Sequence, residues 1–386
     1  MRIVVTGTGG ASGYAVALQA EQLGYEVLWA DADPLCPALL ANSPRARLLP
    51  PASEGGAYLE ALAKAAKDFG AGCVSFNTDA EVRYAAHETE TLSELGLTQW
   101  IPSPETVRVC SDKAEFARRL SGDPRFRTPL SYSADDLRAG PLPAAGVFVK
   151  TRSGSGGTDS MVCSSRPELD AWLARHPDGL VQEVLTGQEF SADCLYTGAD
   201  LPLVVTRRRL RTRSGMSTVT ETFHHPRLEQ LVAGLLRELR VVGPSCVQGF
   251  LQPDGIVLTE VNVRFGGGCA AAFWGTTHLV EQYLALLTSN ERKLPEGLHG
   301  QRSFTTTVLV RVPGYTTFQA GPETKEPTTS TESTTSTEST TSTESTTCTE
   351  STTSTESTTS TESTTSTEST TSMESTTSME PRTGEE

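Results

Sequence analysis

A chain of 386 residues with a formal net charge of −15 is long enough to bury more than one core, and its charge is concentrated at one end. The segment 323–386 carries thirteen acidic and two basic residues, so −11 of that charge lies there and −4 on the first 322 residues. Such a body has no basic face for nucleic acid and no apolar run of membrane-spanning length. Its eight scattered cysteines form no C-x-x-C pair, which argues against a zinc site or a disulfide framework.

In chain order, Arg2-Ile3-Val4-Val5-Thr6 reads as a buried strand running into Gly7-Thr8-Gly9-Gly10-Ala11-Ser12-Gly13. This run is too short for a signal peptide, and a reducing cytoplasm is expected. A helix over 14–23 and a strand over 26–30 closing on Asp31 follow. The unit is strand, glycine turn, helix, strand, with Gly7, Gly10 and Gly13 spaced as in a nucleotide-binding turn. It invites a reading as an NAD(P)-dependent oxidoreductase, and the T-G-x-x-G-x-x-G spacing resembles short-chain dehydrogenases. That class also needs a tyrosine four residues before a lysine, and none of the eight tyrosines has one. A Rossmann-like domain whose glycines serve helix–strand packing is the better expectation. Helix 58–69, strand 72–76 and helix 80–95 continue it, and Asn77, Thr78, Asp79 and Glu81 fall at a strand's carboxyl end, where open α/β sheets place ligands. A helix cap by Asp79 also accounts for that acid.

The middle of the chain changes character after Pro102 and Pro104. Asp112-Lys113-Ala114-Glu115 has capping-box spacing, which puts Lys113 in the first turn of a helix, where a cation is disfavoured unless an anion joins it. Strand 146–150 ends in Lys150 and is followed by Thr151-Arg152-Ser153-Gly154-Ser155-Gly156-Gly157-Thr158, small residues whose backbone N–H groups can fold over phosphates. It is not a Walker A loop, because the lysine precedes the glycines. Strand 179–185 then runs through Thr186-Gly187-Gln188-Glu189 into 190–196. On the next strand Arg208 faces opposite to Arg207, Arg209 and Arg211; these either bind an anion by paired donors or are solvated. His224 and His225 precede Pro226 and helix 227–239, which marks a cap region and not a metal site.

Strand 245–251, the turn Pro253-Asp254-Gly255 and the apolar run into Leu258-Thr259-Glu260-Val261-Asn262-Val263-Arg264-Phe265 read as a hairpin. Side chains two apart share a face, so Glu260, Asn262 and Arg264 project together while Val261 and Val263 enter a core. A carboxylate, an amide oxygen and a guanidinium side by side suit a magnesium-bound phosphate. A solvated polar face is the alternative.

Lys113, Lys150 with Ser153-Gly154-Ser155-Gly156-Gly157, Gln182-Glu183-Val184-Leu185-Thr186-Gly187-Gln188-Glu189, Gln248, and Glu260-Val261-Asn262-Val263-Arg264-Phe265-Gly266-Gly267 together resemble the ATP-grasp superfamily, in its carbamoyl-phosphate-synthetase-like and amino-acid-ligase branch. The resemblance covers roughly residues 1–290. It implies an α/β chain: a Rossmann-like pre-ATP-grasp domain over 1–100, an α+β small lobe over 101–186, and a large lobe with the metal site over 187–318. It further implies that Lys113 and Lys150 hold the α- and β-phosphates and that Ser153 to Gly157 close over the β- and γ-phosphates. Gln182, Glu183, Val184 and Leu185 would meet adenine, and Glu189 the ribose hydroxyls. Gln248, Glu260 and Asn262 would ligate Mg2+, with Mn2+ as a substitute, and Arg264 would steady the transferring phosphoryl group. The implied reaction activates a small-molecule carboxylate with ATP to an acyl-phosphate, which an amine then attacks, releasing ADP and phosphate. A homodimer is compatible with this reading, and an ATP-binding protein without catalysis is a further alternative to the oxidoreductase. Two departures stand out: Val263 where many members have proline, and Gln248 where some branches have an acid.

A helix over 276–287 and a strand over 303–312 close the globular pattern. From Pro327 the repeat Thr-Glu-Ser-Thr-Thr-Ser places a glutamate every six residues from Glu332 to Glu380, with almost nothing to bury, so 319–386 is expected to be a disordered tail.

Overall fold

The N-terminal apolar run becomes strand β1 (Arg2–Val5), fully buried from Ile3 onward. A computed structural model of the chain describes residues 1–133, 137, 140–154, 159–213, 215–275, 279–289, 306 and 308–310. Helix α1 (Ala11–Gln22), strand β2 (Glu26–Asp31), the single turn α2 (Pro37–Leu40), strand β3 (Ala46–Leu48), helix α3 (Gly56–Phe69) and strand β4 (Val74–Ser75) complete a parallel sheet of order β3-β2-β1-β4. The chain leaves β1 toward β2 on one side and returns to β4 on the other, so a topological switch point lies between β1 and β4. Helix α1 starts three residues earlier than expected, directly on the glycine turn. Gly7 has φ +62°, and a Cβ on Gly13 would stand 2.2 Å from the Gly7 carbonyl oxygen, so the helix sits on the turn only because Gly13 has no side chain.

The single helix expected over 80–95 is two, α4 (Asp79–Ala85) and α5 (Thr89–Glu94). Between them the chain tightens into i→i−3 bonds at His87 and Glu88, and the Glu88 carboxylate accepts from the Thr91 hydroxyl at 3.0 Å. The cap of α4 is Thr78, whose hydroxyl accepts from the Glu81 N–H, and not Asp79. Glu81 is buried and takes donors from Thr6, Thr78 and Tyr58, so it belongs to the domain's interior; burial raises its pKa.

Helix α6 (Pro104–Ser111) leads into α7 (Lys113–Leu120), where the Asp112 carboxylate accepts from the Ala114 and Glu115 N–H groups. The predicted capping box is half realised, since Glu115 turns to Arg118 and Arg108 instead. Strands β5 (Ser131–Tyr132), β6 (Val147–Lys150), β7 (Met161–Cys163) and β8 (Leu180–Gln182) form a small antiparallel sheet of order β5-β8-β6-β7. Helix α8 (Arg166–Arg175) covers it, burying Leu169 and Trp172 against Val147, Val149 and Val181.

The remaining strands make one antiparallel sheet of order β13-β12-β9-β10-β11-β14: β9 (Gln188–Tyr196), β10 (Leu203–Arg213), β11 (Met216–Phe223), β12 (Gly243–Gln252), β13 (Gly255–Asn262) and β14 (Val308–Val310). Helix α9 (Pro226–Leu239) packs beneath it, with Leu228, Val232, Leu235, Leu236 and Leu239 buried at helical spacing. Each such leucine contributes about 1.5–3 kcal/mol by leaving water. His225 caps α9, its Nδ1 accepting from the Leu228 N–H at 3.1 Å, as a cap-region residue should. Helices α10 (Ala270–Gly275) and α11 (Leu279–Ser289) follow.

One irregularity bears on the site. In the β12–β13 pair Gln248 faces Glu260 while Gly249 faces Leu258, so Thr259 is an extra residue and a β-bulge. Beyond the bulge the predicted alternation holds, with Val261 and Val263 buried and Glu260, Asn262 and Arg264 on the other face. Among the described residues no helix is long and apolar enough to cross a membrane. The repeat expected over 319–386, Ser155 to Thr158, and parts of helix 276–287 and strand 303–312 lie outside the described residues.

Candidate functional site

Three elements bring cations and a carboxylate to one cavity of about 440 Å³. Asp112 starts α7 and thereby fixes Lys113 in the first turn, and the Lys113 ammonium donates to the Gly154 carbonyl at 2.8 Å and stands 3.5 Å from Glu260 Oε2. The start of the loop after β6 is tied to the same turn: Arg152 bonds the Asp112 carboxylate through two nitrogens, and the Lys113 N–H donates to the Arg152 carbonyl. Lys150 ends β6 and is buried. Burial pushes its pKa down to about 8; Lys113 pushes the same way and Glu260 resists.

The cavity is also lined by Gln182, Glu183, Val184, Leu185, Glu189 and Gln248, so ten of the predicted positions, with Lys113, Lys150, Gly154 and Glu260, share one wall system. Gln182 is buried with its amide on the Ser131 hydroxyl at 3.1 Å. The Glu183 carboxylate accepts from the Leu130 N–H at 2.9 Å, which leaves Val184 and Leu185 as the strap between the two antiparallel sheets. Gly187 ends this strap at φ +104°, where a Cβ would stand 2.2 Å from the Leu251 carbonyl oxygen. Ser153 is exposed and does not line the cavity; Gly156 and Gly157 lie outside the described residues.

Asn262 and Arg264 line an adjoining cavity of about 270 Å³, which shares Arg209, Gly215, Gln248 and Glu260 with the first. Arg264 donates to Asp79 at 2.7 Å and to the Phe265 carbonyl, so the acid that does not cap α4 holds this guanidinium. Asn262 donates to Glu260 Oε1 at 3.3 Å. Among the described residues no three His, Cys, Asp or Glu side chains gather. The donors at β12–β13 are one carboxylate and two amide oxygens, a hard-oxygen set that fits Mg2+ sharing its remaining positions with phosphate and water.

The arginine cluster resolves into separate jobs. Arg207 is 1% exposed and bonded through two nitrogens to Asp193, itself fully buried, at 2.5 and 3.2 Å. Arg208 points away, onto Glu221 and over the Phe223 ring. Arg209 bonds Glu189, Gln248 and the Gly215 carbonyl at the junction of the two cavities. Burial and the nearby Glu260 raise the Glu189 pKa, with Arg209 opposing. Sequence reasoning left Arg209 unassigned and did not select Phe148, Val162 and Phe250, which supply apolar lining. Phe148 was findable, because it stands two residues from Lys150 and therefore on the same strand face.

The glycine turn has a different character. The Asp31 carboxylate, which in a dinucleotide site would meet ribose, accepts from the Gly9 N–H at 2.6 Å and the Asp33 N–H at 2.9 Å. Those bonds tie the glycine turn to the end of β2, and the close approach at Gly13 packs α1 onto the turn.

Residues 110–268 match the family model for an ATP-grasp domain. No curated protein matches the chain. Among solved structures, the biotin carboxylase domain of 2-oxoglutarate carboxylase from Hydrogenobacter thermophilus, determined with MgADP and bicarbonate, aligns over 80% of this chain and 73% of its own, at 14% identity and a TM-score of 0.62. L-amino acid ligase from Bacillus licheniformis covers 80% and 78%, at 17% identity and 0.60. N5-carboxyaminoimidazole ribonucleotide synthetase from Thermotoga maritima covers 80% and 79%, at 18% identity and 0.55. At these identities the likeness is one of fold.

Proposed function

We propose, from the premise that this chain carries an ATP-grasp domain over residues 110–268, that it is an ATP- and Mg2+-dependent ligase joining a carboxylate to an amine through an acyl-phosphate. In this reading residues 1–100 are the preceding Rossmann-like domain, 101–186 the small lobe and 187–318 the large lobe. The observation that carries it is the meeting of Lys113, Lys150 and Glu260, from three separate elements, over one cavity that adjoins a second one floored by Arg264.

Phosphoryl transfer asks for position and charge neutralisation more than for a nucleophilic side chain. Adenine enters the apolar end between Phe148, Val162 and Phe250, with its edge on the backbone near Glu183 to Leu185. Glu189 gives Oε1 to Arg209 and keeps Oε2 for a ribose hydroxyl. Lys113 and Lys150 face the phosphates from two sides, and the phosphates replace Glu260 as their counter-charge. Glu260, with the Asn262 and Gln248 oxygens, would hold Mg2+, which would draw charge from the phosphate oxygens. Arg209 stands where the γ-phosphoryl group leaves one cavity for the next, and Arg264, oriented by Asp79, meets the acyl-phosphate.

Hydroxylamine tests this directly. Incubated with Mg-ATP and a panel of carboxylic acids, the full chain forms a hydroxamate with at least one acid, releasing one ADP per hydroxamate, and Arg264→Met loses it. ADP formed without hydroxamate over the whole panel would count against an acyl-phosphate.

A further inference from the structure

We infer that this chain takes its nucleotide with a single Mg2+, and that Arg209, as a fixed pair of donors, makes the terminal-phosphate contact that a second ion would otherwise make. The inference rests on the ligase reading above and sets the metal count of that same site.

Among the described residues, four acids line the two cavities: Asp79, Glu183, Glu189 and Glu260. Three are committed, Asp79 to Arg264, Glu183 to the Leu130 N–H and Glu189 to Arg209. Glu260 is the one left. The cation nearest to it, the Lys113 ammonium at 3.5 Å, is one that the phosphates also attract. A Mg2+ ion shared with phosphate is held through one or two carboxylates. One available carboxylate therefore supports one ion, and a second would have to share Glu260 and otherwise rest on neutral amide oxygens.

The place beside Gln248 is already cationic. Arg207 and Arg209 share a face of β10 and both line the second cavity. The ladder to β11 slips immediately after Arg209, leaving Leu210 as an extra residue, and Arg211 beyond it is exposed. The bulge thus makes Arg209 the last arginine of the row to face the site, at the junction that both cavities share. Its side chain is 7% exposed. Nη1 donates to Glu189 and to Gln248 Oε1 at 3.0 Å, and Nη2 donates to the Gly215 carbonyl. A guanidinium has five N–H groups. Those that remain, one on Nε and one on Nη2, have no partner among the described residues and suit the oxygens of a phosphate. Glu189 fixes this guanidinium as Asp79 fixes Arg264. Gln248 completes the arrangement. It faces Glu260 across the β12–β13 pair, so an acid there would supply the second carboxylate that another ion needs. The amide instead gives one lone pair of Oε1 to Arg209 and keeps the other for the ion at Glu260.

Equilibrium dialysis of the full chain with Mn2+ and a non-hydrolysable ATP analogue counts the ions, and electron paramagnetic resonance separates one isolated Mn2+ from two that share a carboxylate and couple. The wild type binds one Mn2+ per bound analogue, and its spectrum stays uncoupled as free Mn2+ is raised. Arg209→Met keeps that count but weakens the ATP analogue at least tenfold more than it weakens ADP, because the lost donors face the terminal phosphate. Gln248→Glu combined with Arg209→Met takes two coupled ions. Two ions per analogue in the wild type, equal weakening of analogue and ADP by Arg209→Met, or a single ion in the double variant would each overturn the inference and leave the ligase reading standing. A wild-type chain that binds no analogue overturns both.

Discussion

In the proposed site Lys150 would link nucleotide binding to proton uptake, and the size of the link follows from its burial. The lysine is 9% exposed, and burial holds its pKa at about 8 instead of the 10.5 usual for a lysine. That depression corresponds to roughly 3 kcal/mol against the charged form. Near pH 7 the ammonium is about nine-tenths protonated, and near pH 9 about one-tenth. Phosphates beside Lys150 favour the ammonium and restore its pKa, so binding takes up close to one proton per site at about pH 9 and little at about pH 7. Affinity for Mg-ADP therefore falls about tenfold between those pH values in the wild type and stays flat in Lys150→Met, whose affinity is low throughout. The stability sign is opposite. Between about 8 and 10.5 the unfolded chain binds more protons than the native one, so this group's contribution to stability rises with pH through that window. At neutral pH the buried ammonium is a cost, and Lys150→Met raises the unfolding free energy of the nucleotide-free protein by up to roughly 3 kcal/mol. Calorimetry in two buffers of different ionisation enthalpy measures the proton uptake, and urea unfolding measures the stability. Equal proton uptake at both pH values, or a slope that persists in Lys150→Met, would refute the reasoning.

Three further outcomes follow from single contacts. Asp193→Ala strands the buried Arg207 guanidinium and costs about 3–5 kcal/mol, whereas Asp193→Ala combined with Arg207→Met recovers most of that loss; a double variant whose loss equals the sum of the singles contradicts this. Gly13→Ala forces a Cβ against the Gly7 carbonyl and costs at least about 1–3 kcal/mol, while Gly267→Ala, whose Cβ meets the Ala11 side chain at 3.7 Å, is nearly neutral in thermal unfolding. Thr78→Ala removes the cap of α4 and costs about 1 kcal/mol, and Asp79→Ala leaves that cap in place; the opposite ranking of cap loss in the helical signal of fragment-free, full-chain melts would return the cap to Asp79.

Much of the site was legible because it is written in strand periodicity. Pro253-Asp254-Gly255 marks the β12–β13 turn, and beyond the bulge the two-residue repeat places Glu260, Asn262 and Arg264 on one face and Val261 and Val263 in the core. Lys113 was legible through its cap, since Asp112 fixes where α7 begins. What the sequence left open depends on partners far along the chain. The bulge at Thr259 exists only in the register against Gln248 and Gly249. The division of Arg207, Arg208 and Arg209 into an interior pair, an outward pair and a junction follows from Asp193, Glu221 and Glu189, which sit on neighbouring strands. Asp79 was assigned to the nearest local task, capping, but the adjacent Thr78 takes that role and Arg264, 185 residues away, takes the carboxylate. The glycine turn has the spacing of a nucleotide-binding turn, but the missing tyrosine–lysine pair already favoured a packing role, and the close approach of Gly13 to the Gly7 carbonyl agrees with it.

The central claim, that nucleotide enters between Lys113, Lys150 and Glu260 and not at the glycine turn, is tested most directly by titrating the full chain with the Mg complex of a non-hydrolysable ATP analogue and, separately, with NADPH. The account predicts saturable binding of the ATP analogue, weakened at least tenfold by Lys150→Met and lost with magnesium dependence in Glu260→Ala, and no binding of NADPH. Saturable NADPH binding that neither substitution alters, with no binding of the ATP analogue, would contradict it.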